Sequence, residues 1–127
     1  LIIHYPGMKH KGTNTNAIVE TVDIFPTLCD LAEIETPEYA HGTSLKELLV
    51  DTNATGHYAI SYNNKASTIR TSTHRMTLHQ DGFVELYDHT TTEKETKNIA
   101  EAHPEIVKEL RYKLNTKLKL KLKEIKQ

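Results

Sequence analysis

The residues able to do chemistry here are eight histidines and one cysteine, set among 16 Lys/Arg and 17 Asp/Glu in 127 residues. A metal centre needs imidazoles and carboxylates delivered to one point, and local spacings such as HxH or HxxxH are how a sequence announces it. None of those spacings occurs. His74 and His79 are five residues apart on one alternating run, so a strand turns them to opposite faces. His4 and His10 are divided by Pro6-Gly7, while His41, His57, His89 and His103 are scattered. The histidines therefore read as surface and partly buried side chains, with no metal site. Cys29 has no second cysteine for a CxxC pair or a disulfide, and its apolar neighbours make it a buried, inert thiol.

The element that must position this cysteine is a helix over Val22 to Ala32. Asp23 fits the N-cap, where its carboxylate accepts from free first-turn amides and complements the helix dipole. Pro26 falls in the first turn, where a missing N–H is harmless. Ile24, Leu28 and Leu31, with Phe25 and Ala32 beside them, recur as one helical face and are expected to be buried.

Before this helix, Leu1 to Tyr5 is an apolar run ended by Pro6-Gly7, as for an edge or terminal strand of a covered, mostly parallel sheet. Met8 to Asn16 is polar and reads as a surface loop. After it, a Pro- and Gly-bearing connector leads to a short helix over 43–49, capped by Thr43 or Ser44, and then to turn material over 51–56. Asn53-Ala54-Thr55 fits the N-glycosylation pattern, one too short to be specific. From His57 the period becomes alternating. Strands are expected over 57–62, 67–71, 74–79 and 83–88, the last two joined by an Asp81-Gly82 hairpin signal. Together they make a small antiparallel sheet of about four strands. A helix opening near Pro104 carries Val107, Leu110, Leu114, Leu118 and Leu122 as a stripe that should pack on one face of that sheet. Its end, Leu118 to Leu122, alternates strictly and is equally compatible with an edge strand or a frayed tail.

Composition bounds the function classes. A hydrophobic content of 37% over 127 residues supports one ordinary core. The net charge of -1 hides a basic end: residues 104–127 hold eight Lys/Arg against three Glu. That is a local feature, one that invites a membrane surface or a polyanion less than it invites solvent, and not a nucleic-acid signature. No apolar run is long enough to span a bilayer. The abrupt apolar opening without an initiator Met is expected of a piece of a longer polypeptide.

Several motifs in order resemble the C-terminal part of the type I, formylglycine-dependent sulfatases of the alkaline phosphatase-like superfamily. They are the strand ending Pro6-Gly7, Val22-Asp23-Ile24-Phe25-Pro26-Thr27-Leu28, His41-Gly42-Thr43-Ser44-Leu45, Thr68-Ile69-Arg70-Thr71, His74-Arg75-Met76, Glu85-Leu86-Tyr87-Asp88 and Asn98-Ile99-Ala100. His74 and Met76 stand where the family commonly has aromatics. The resemblance implies an α/β parent, α+β for this piece. Residues 1–56 would close the large α/β domain, and 57–127 would form a C-terminal subdomain of antiparallel sheet plus helix.

The resemblance further implies a parent that hydrolyses sulfate esters, most simply of a sulfated carbohydrate, and that is exported to the periplasm, the outside or the lysosome. Family members use a formylglycine made in a Cys/Ser-x-Pro-x-Arg motif, beside a calcium ion. Cys29 is followed by Asp30-Leu31-Ala32-Glu33 and lacks both the Pro and the Arg, so the catalytic residues and the calcium ligands would lie outside this chain. Its own contribution would be structural and substrate-recognising, with His57, Lys65 and Arg70 as substrate contacts and the rest of the sulfatase domain as partner. For Arg70 a structural ion pair competes with that role, and for Lys65 plain exposure does. Two further readings stay open: a phosphate-ester hydrolase or phosphotransferase of the same superfamily, with a Thr or Ser nucleophile and zinc or manganese, and a non-catalytic carbohydrate-binding or interaction module.

Overall fold

The computed structural model describes residues 1–124, with side chains described through Lys119. The chain divides into two compact units, Leu1–His57 and the part from Tyr58 onward.

In the first unit, Leu1–Tyr5 has no regular secondary structure and pairs with no strand among the described residues. Leu1 and Ile2 are exposed. The helix starts one turn earlier than the Asp23 cap implies. A 3-10 turn over Thr21–Asp23 leads directly into α1, Ile24–Leu31, and a capping box joins Glu20 and Asp23: each side chain accepts the other's backbone N–H. Asp23 is therefore the third residue of the turn, with Glu20 as the cap.

The faces of α1 also differ from the periodicity reading. Asp23, Thr27 and Asp30, spaced i, i+4 and i+7, point toward residues 42–46. Phe25 and Leu28 are 48% and 58% exposed. The reason is hydrogen bonding. The Thr43 amide donates to Asp23 Oδ1 at 2.9 Å, and the Leu45 amide to Thr27 Oγ1 at 2.9 Å. Ser44 Oγ donates to Asp30 Oδ2 at 2.6 Å, and Lys46 Nζ to Asp30 Oδ1 at 2.8 Å. Satisfied polar groups bury readily, so this face outcompetes the apolar one for the following segment. Gly42 has φ +98, and a Cβ there would run into the Val22 carbonyl. Only glycine lets the connector approach so closely. The short helix α2 spans Lys46–Val50 and buries Leu48, with Leu45 buried just before it. Its N-cap is Leu45, whose side chain caps nothing; Ser44 Oγ accepts the Lys46 amide instead.

The second unit is a four-stranded antiparallel sheet in sequential order: β1 Ala59–Tyr62, β2 Ala66–Arg70, β3 His74–His79 and β4 Val84–Asp88. Register places Ile60, Ile69, Met76 and Leu86 in one cross-strand row. On that face lies α3, Pro104–Glu124, whose Leu110 and Leu114 are buried with Ile69, Met76 and Leu86, while Val107 and Leu118 pack at the margin. The backbone of Leu118–Glu124 continues the helix. The Leu122 side chain of the expected stripe lies outside the described residues. Asn98-Ile99 closes the free edge of β4. Asn98 Oδ1 accepts the Leu86 amide at 2.9 Å, Asn98 Nδ2 donates to the Val84 carbonyl at 3.0 Å, and the Ile99 amide donates to the Leu86 carbonyl at 2.9 Å. An edge so covered offers no pairing template. Leu114 is fully buried, so Leu114→Ala is expected to cost about 2–5 kcal/mol, read as a lowered denaturation midpoint of the second unit.

Candidate functional site

Two polar constellations stand out, one in each unit. In the first, the chain returns after the turn at 51–56 so that the His57 amide donates to the Ile18 carbonyl at 3.2 Å. This return sets the imidazole between two buried carboxylates. His57 Nε2 lies 2.8 Å from Asp23 Oδ2, and Nδ1 lies 3.9 Å from Glu20 Oε2. Asp23 Oδ2 also accepts the Glu20 amide at 2.6 Å. One ligand-type atom from each of Glu20, Asp23 and His57 falls within 4.8 Å of the others. The sequence carries half of this signal: Glu20 and Asp23 sit at capping-box spacing. His57 is 34 residues from Asp23 and nothing local marks it. Asp23 already accepts from two backbone amides and faces the imidazole. The arrangement works as a hydrogen-bonded junction that ties residue 57 to the helix start.

The second constellation is the sheet face opposite α3. Register pairs Arg70 directly with Arg75, and Arg75 with Tyr87; the next row is Ser61, Thr68, Thr77 and Glu85. Arg75 Nη2 pairs with Glu95 Oε2 at 3.0 Å, and its guanidinium carbon stands 5.4 Å from the Tyr87 ring centroid. His89 Nε2 meets the other Glu95 oxygen at 2.9 Å. Tyr87 donates to Glu85 Oε1 at 2.8 Å, and His79 Nε2 lies 2.9 Å from Glu85 Oε2. Those two bonds, from His79 first and Tyr87 second, hold the Glu85 carboxyl below the usual range. Thr68 and Thr77 bond across the strands at 3.1 Å.

Two arginines facing each other on neighbouring strands repel unless anions stand between or beside them. Glu95 answers Arg75. Arg70 Nη1 and Arg75 Nε are buried without a hydrogen-bond partner among the described residues. Burial lowers the Arg70 guanidinium from its ordinary value, against the pull of Glu95. The ion pair that competes with a substrate role for Arg70 is thus formed by its neighbour. A guanidinium with an unpaired donor is the kind of group that pairs with a carboxylate or sulfate. Lys65 sits exposed in the β1–β2 turn, at the opposite end of β2 from Arg70, about 17 Å away at ~3.3 Å per residue. The two are therefore not gathered at one point. His57 belongs to the other unit. Arg75 is the residue that sequence reasoning passed over. The short turn at 71–73 and the alternation on both sides already imply that it faces Arg70.

Residues 1–124 match the family model described as N-sulphoglucosamine sulphohydrolase, C-terminal. Human arylsulfatase K is 28% identical over 133 residues, covering 91% of this chain and 25% of arylsulfatase K. An ulvan-active sulfatase of Formosa agariphila is 43% identical over 49 residues, 38% of this chain and 10% of that protein. Among solved structures, a 2-O GAG sulfatase superposes with TM-score 0.72 at 26% identity, over 90% of this chain and 28% of that one. A second, in complex with its substrate D-glucosamine-2-N,6-O-disulfate, superposes with TM-score 0.72 at 27% identity, over 98% of this chain and 28% of that one. The chain thus spans about a quarter of the length of arylsulfatase K.

Asp23→Ala strands the amides of Glu20 and Thr43 together with His57. It is expected to cost about 3–5 kcal/mol in urea unfolding, whereas Asp23→Asn, which keeps one acceptor oxygen, loses less. For the sheet face the pH dependence has a definite sign. The Glu85 carboxyl is depressed in the fold, so its contribution is present above the ordinary glutamate range and disappears as pH falls through the folded value. Unfolding midpoints measured from pH 7 to pH 3 are expected to decline less steeply in Glu85→Gln than in the parent.

Proposed function

Because the chain belongs to the family of N-sulphoglucosamine sulphohydrolase C-terminal regions, we propose that it is the C-terminal portion of a sulfatase that hydrolyses sulfate esters of a sulfated carbohydrate. The observation that carries this reading is the superposition over 98% of the chain on a protein solved with its substrate D-glucosamine-2-N,6-O-disulfate. In this proposal residues 1–56 close the large α/β domain and 57–127 form the C-terminal subdomain. The exposed Phe25 and Leu28 of α1, with the exposed Leu1 and Ile2, supply the apolar surface that packs onto the rest of the large domain. Among the described residues no helix is long and apolar enough to cross a membrane.

Family members carry formylglycine and calcium, and the residues here fit neither. Cys29 is buried on α1 and lacks the Pro and Arg of the modification motif. Calcium takes six to eight oxygen ligands, while the Glu20–Asp23–His57 junction offers an imidazole and two carboxylates that already accept backbone donors. In this proposal both groups belong to the rest of the parent sulfatase.

The contribution of this portion is recognition. Arg70 would present guanidinium charge to a sulfate or carboxylate, beside the Arg75–Glu95 ion pair. Lys65 offers an exposed cation at a turn. His57 keeps 27% of its side chain exposed while Asp23 fixes its ring, which suits an orienting contact to a sugar hydroxyl or sulfate.

The test is turnover by the complete polypeptide that contains this chain, with N- and 6-O-sulfated glucosamine and matched phosphate esters as substrates. Sulfate release is expected, and Arg70→Ala should lower kcat/KM about 10-fold or more, the loss of one charge-assisted hydrogen bond. Phosphate release alone, dependent on zinc or manganese, transfers the chain to the phosphate-ester reading. Sugar binding without turnover makes it a binding module.

A further inference from the structure

The outer side of α3 carries a line of side chains that have no hydrogen bond or ion pair among the described residues. Lys108, Arg111, Tyr112, Asn115 and Lys119 follow i, i+3, i+4, i+7 and i+11, so they share one face. All five are exposed, Tyr112 at 73%. The opposite side holds Leu110 and Leu114 in the core. The line extends about 16 Å at ~1.5 Å per residue.

The charges around it are sorted. Glu105 is engaged by His103 at 3.2 Å, and Glu109 by Lys113 at 2.6 Å. Lys117 turns to the sheet, donating to the Tyr58 carbonyl at 2.9 Å and standing 4.8 Å from the Tyr58 ring centroid. Lys108, Arg111 and Lys119 hold no ion pair among the described residues. Both acids of the described helix surface are occupied elsewhere, so the three cations are left as an uncompensated stripe with an exposed aromatic ring among them.

We propose that the Lys108–Arg111–Tyr112–Lys119 face of α3 is a secondary, non-catalytic binding surface for the chain of a sulfated polysaccharide. It rests on the sulfated-carbohydrate reading above and extends it from the cleaved residue to the polymer that carries it. Charge complementarity selects the occupant: spaced cations match the repeated sulfates of an extended polyanion, and Tyr112 presents a ring face to a sugar ring. Such a surface holds the enzyme on polymer between turnovers and adds affinity without touching the reacting sulfate.

The experiment uses the complete enzyme, wild type and K108E/R111E/K119E, with the neutral K108Q/R111Q/K119Q as a second variant should charge reversal impair folding. Heparin is the probe polymer, desulfated heparin and duplex DNA are the comparison polymers, and a sulfated glucosamine monosaccharide is the substrate. Expected are a 10-fold or greater loss of heparin affinity, a salt slope of log affinity reduced by roughly 2–3 as three cation contacts disappear, and unchanged kcat and KM on the monosaccharide. Unchanged heparin affinity in a folded variant overturns the proposal, as does wild-type binding to desulfated heparin or duplex DNA as tight as to heparin. If wild type turns over no sulfated sugar but its heparin binding still depends on the three cations, the sulfatase reading fails while the surface stands.

Discussion

One fully buried carboxylate organises the first unit. Asp23 accepts the amides of Glu20 and Thr43 and faces His57, and each of those bonds fixes a different stretch of chain: the approach to the helix, the connector after it, and the return at residue 57. A buried charge is tolerated only when it is fully engaged. Once Asp23 is inside, Gly42 must lack a Cβ, Thr27 must offer a hydroxyl to Leu45, and Asp30 must meet Ser44 and Lys46. The two sequence motifs at 22–28 and 41–45 are the two halves of one lock.

The consequence is a helix whose polar side is engaged. Asp23 and Thr27 are buried against backbone donors, while Phe25 and Leu28 are exposed. The second unit shows the ordinary division of labour. One sheet face carries Ile69, Met76 and Leu86 against α3, and the other carries threonines, arginines and glutamates. There the unusual feature is the direct opposition of Arg70 and Arg75, whose repulsion the Arg75–Glu95 pair offsets.

Much of the fold was legible in the sequence. Alternation marked the four strands to within two residues, the Asp81-Gly82 turn marked the hairpin, and Pro104 marked the start of α3. The ordered motifs carried the family. What periodicity could not show was which face of α1 is buried, because that is decided by hydrogen bonds to residues about twenty positions away. Leu28 and Phe25 look like core on any helical wheel. His57 was singled out by residue type, yet its engagement with Asp23 depends on a 34-residue return that no local pattern encodes. Arg75 was within reach of the sequence: a short turn between alternating runs already sets it opposite Arg70.

The helix start and the connector form one cooperative unit through Asp23 and Thr27. Native-state amide hydrogen exchange reads that coupling. The amides of Glu20, Thr43 and Leu45 are expected to be protected and to open together, with the same free energy. Rapid exchange of Thr43 and Leu45 at the rate of an exposed loop, with Glu20 still protected, would contradict it.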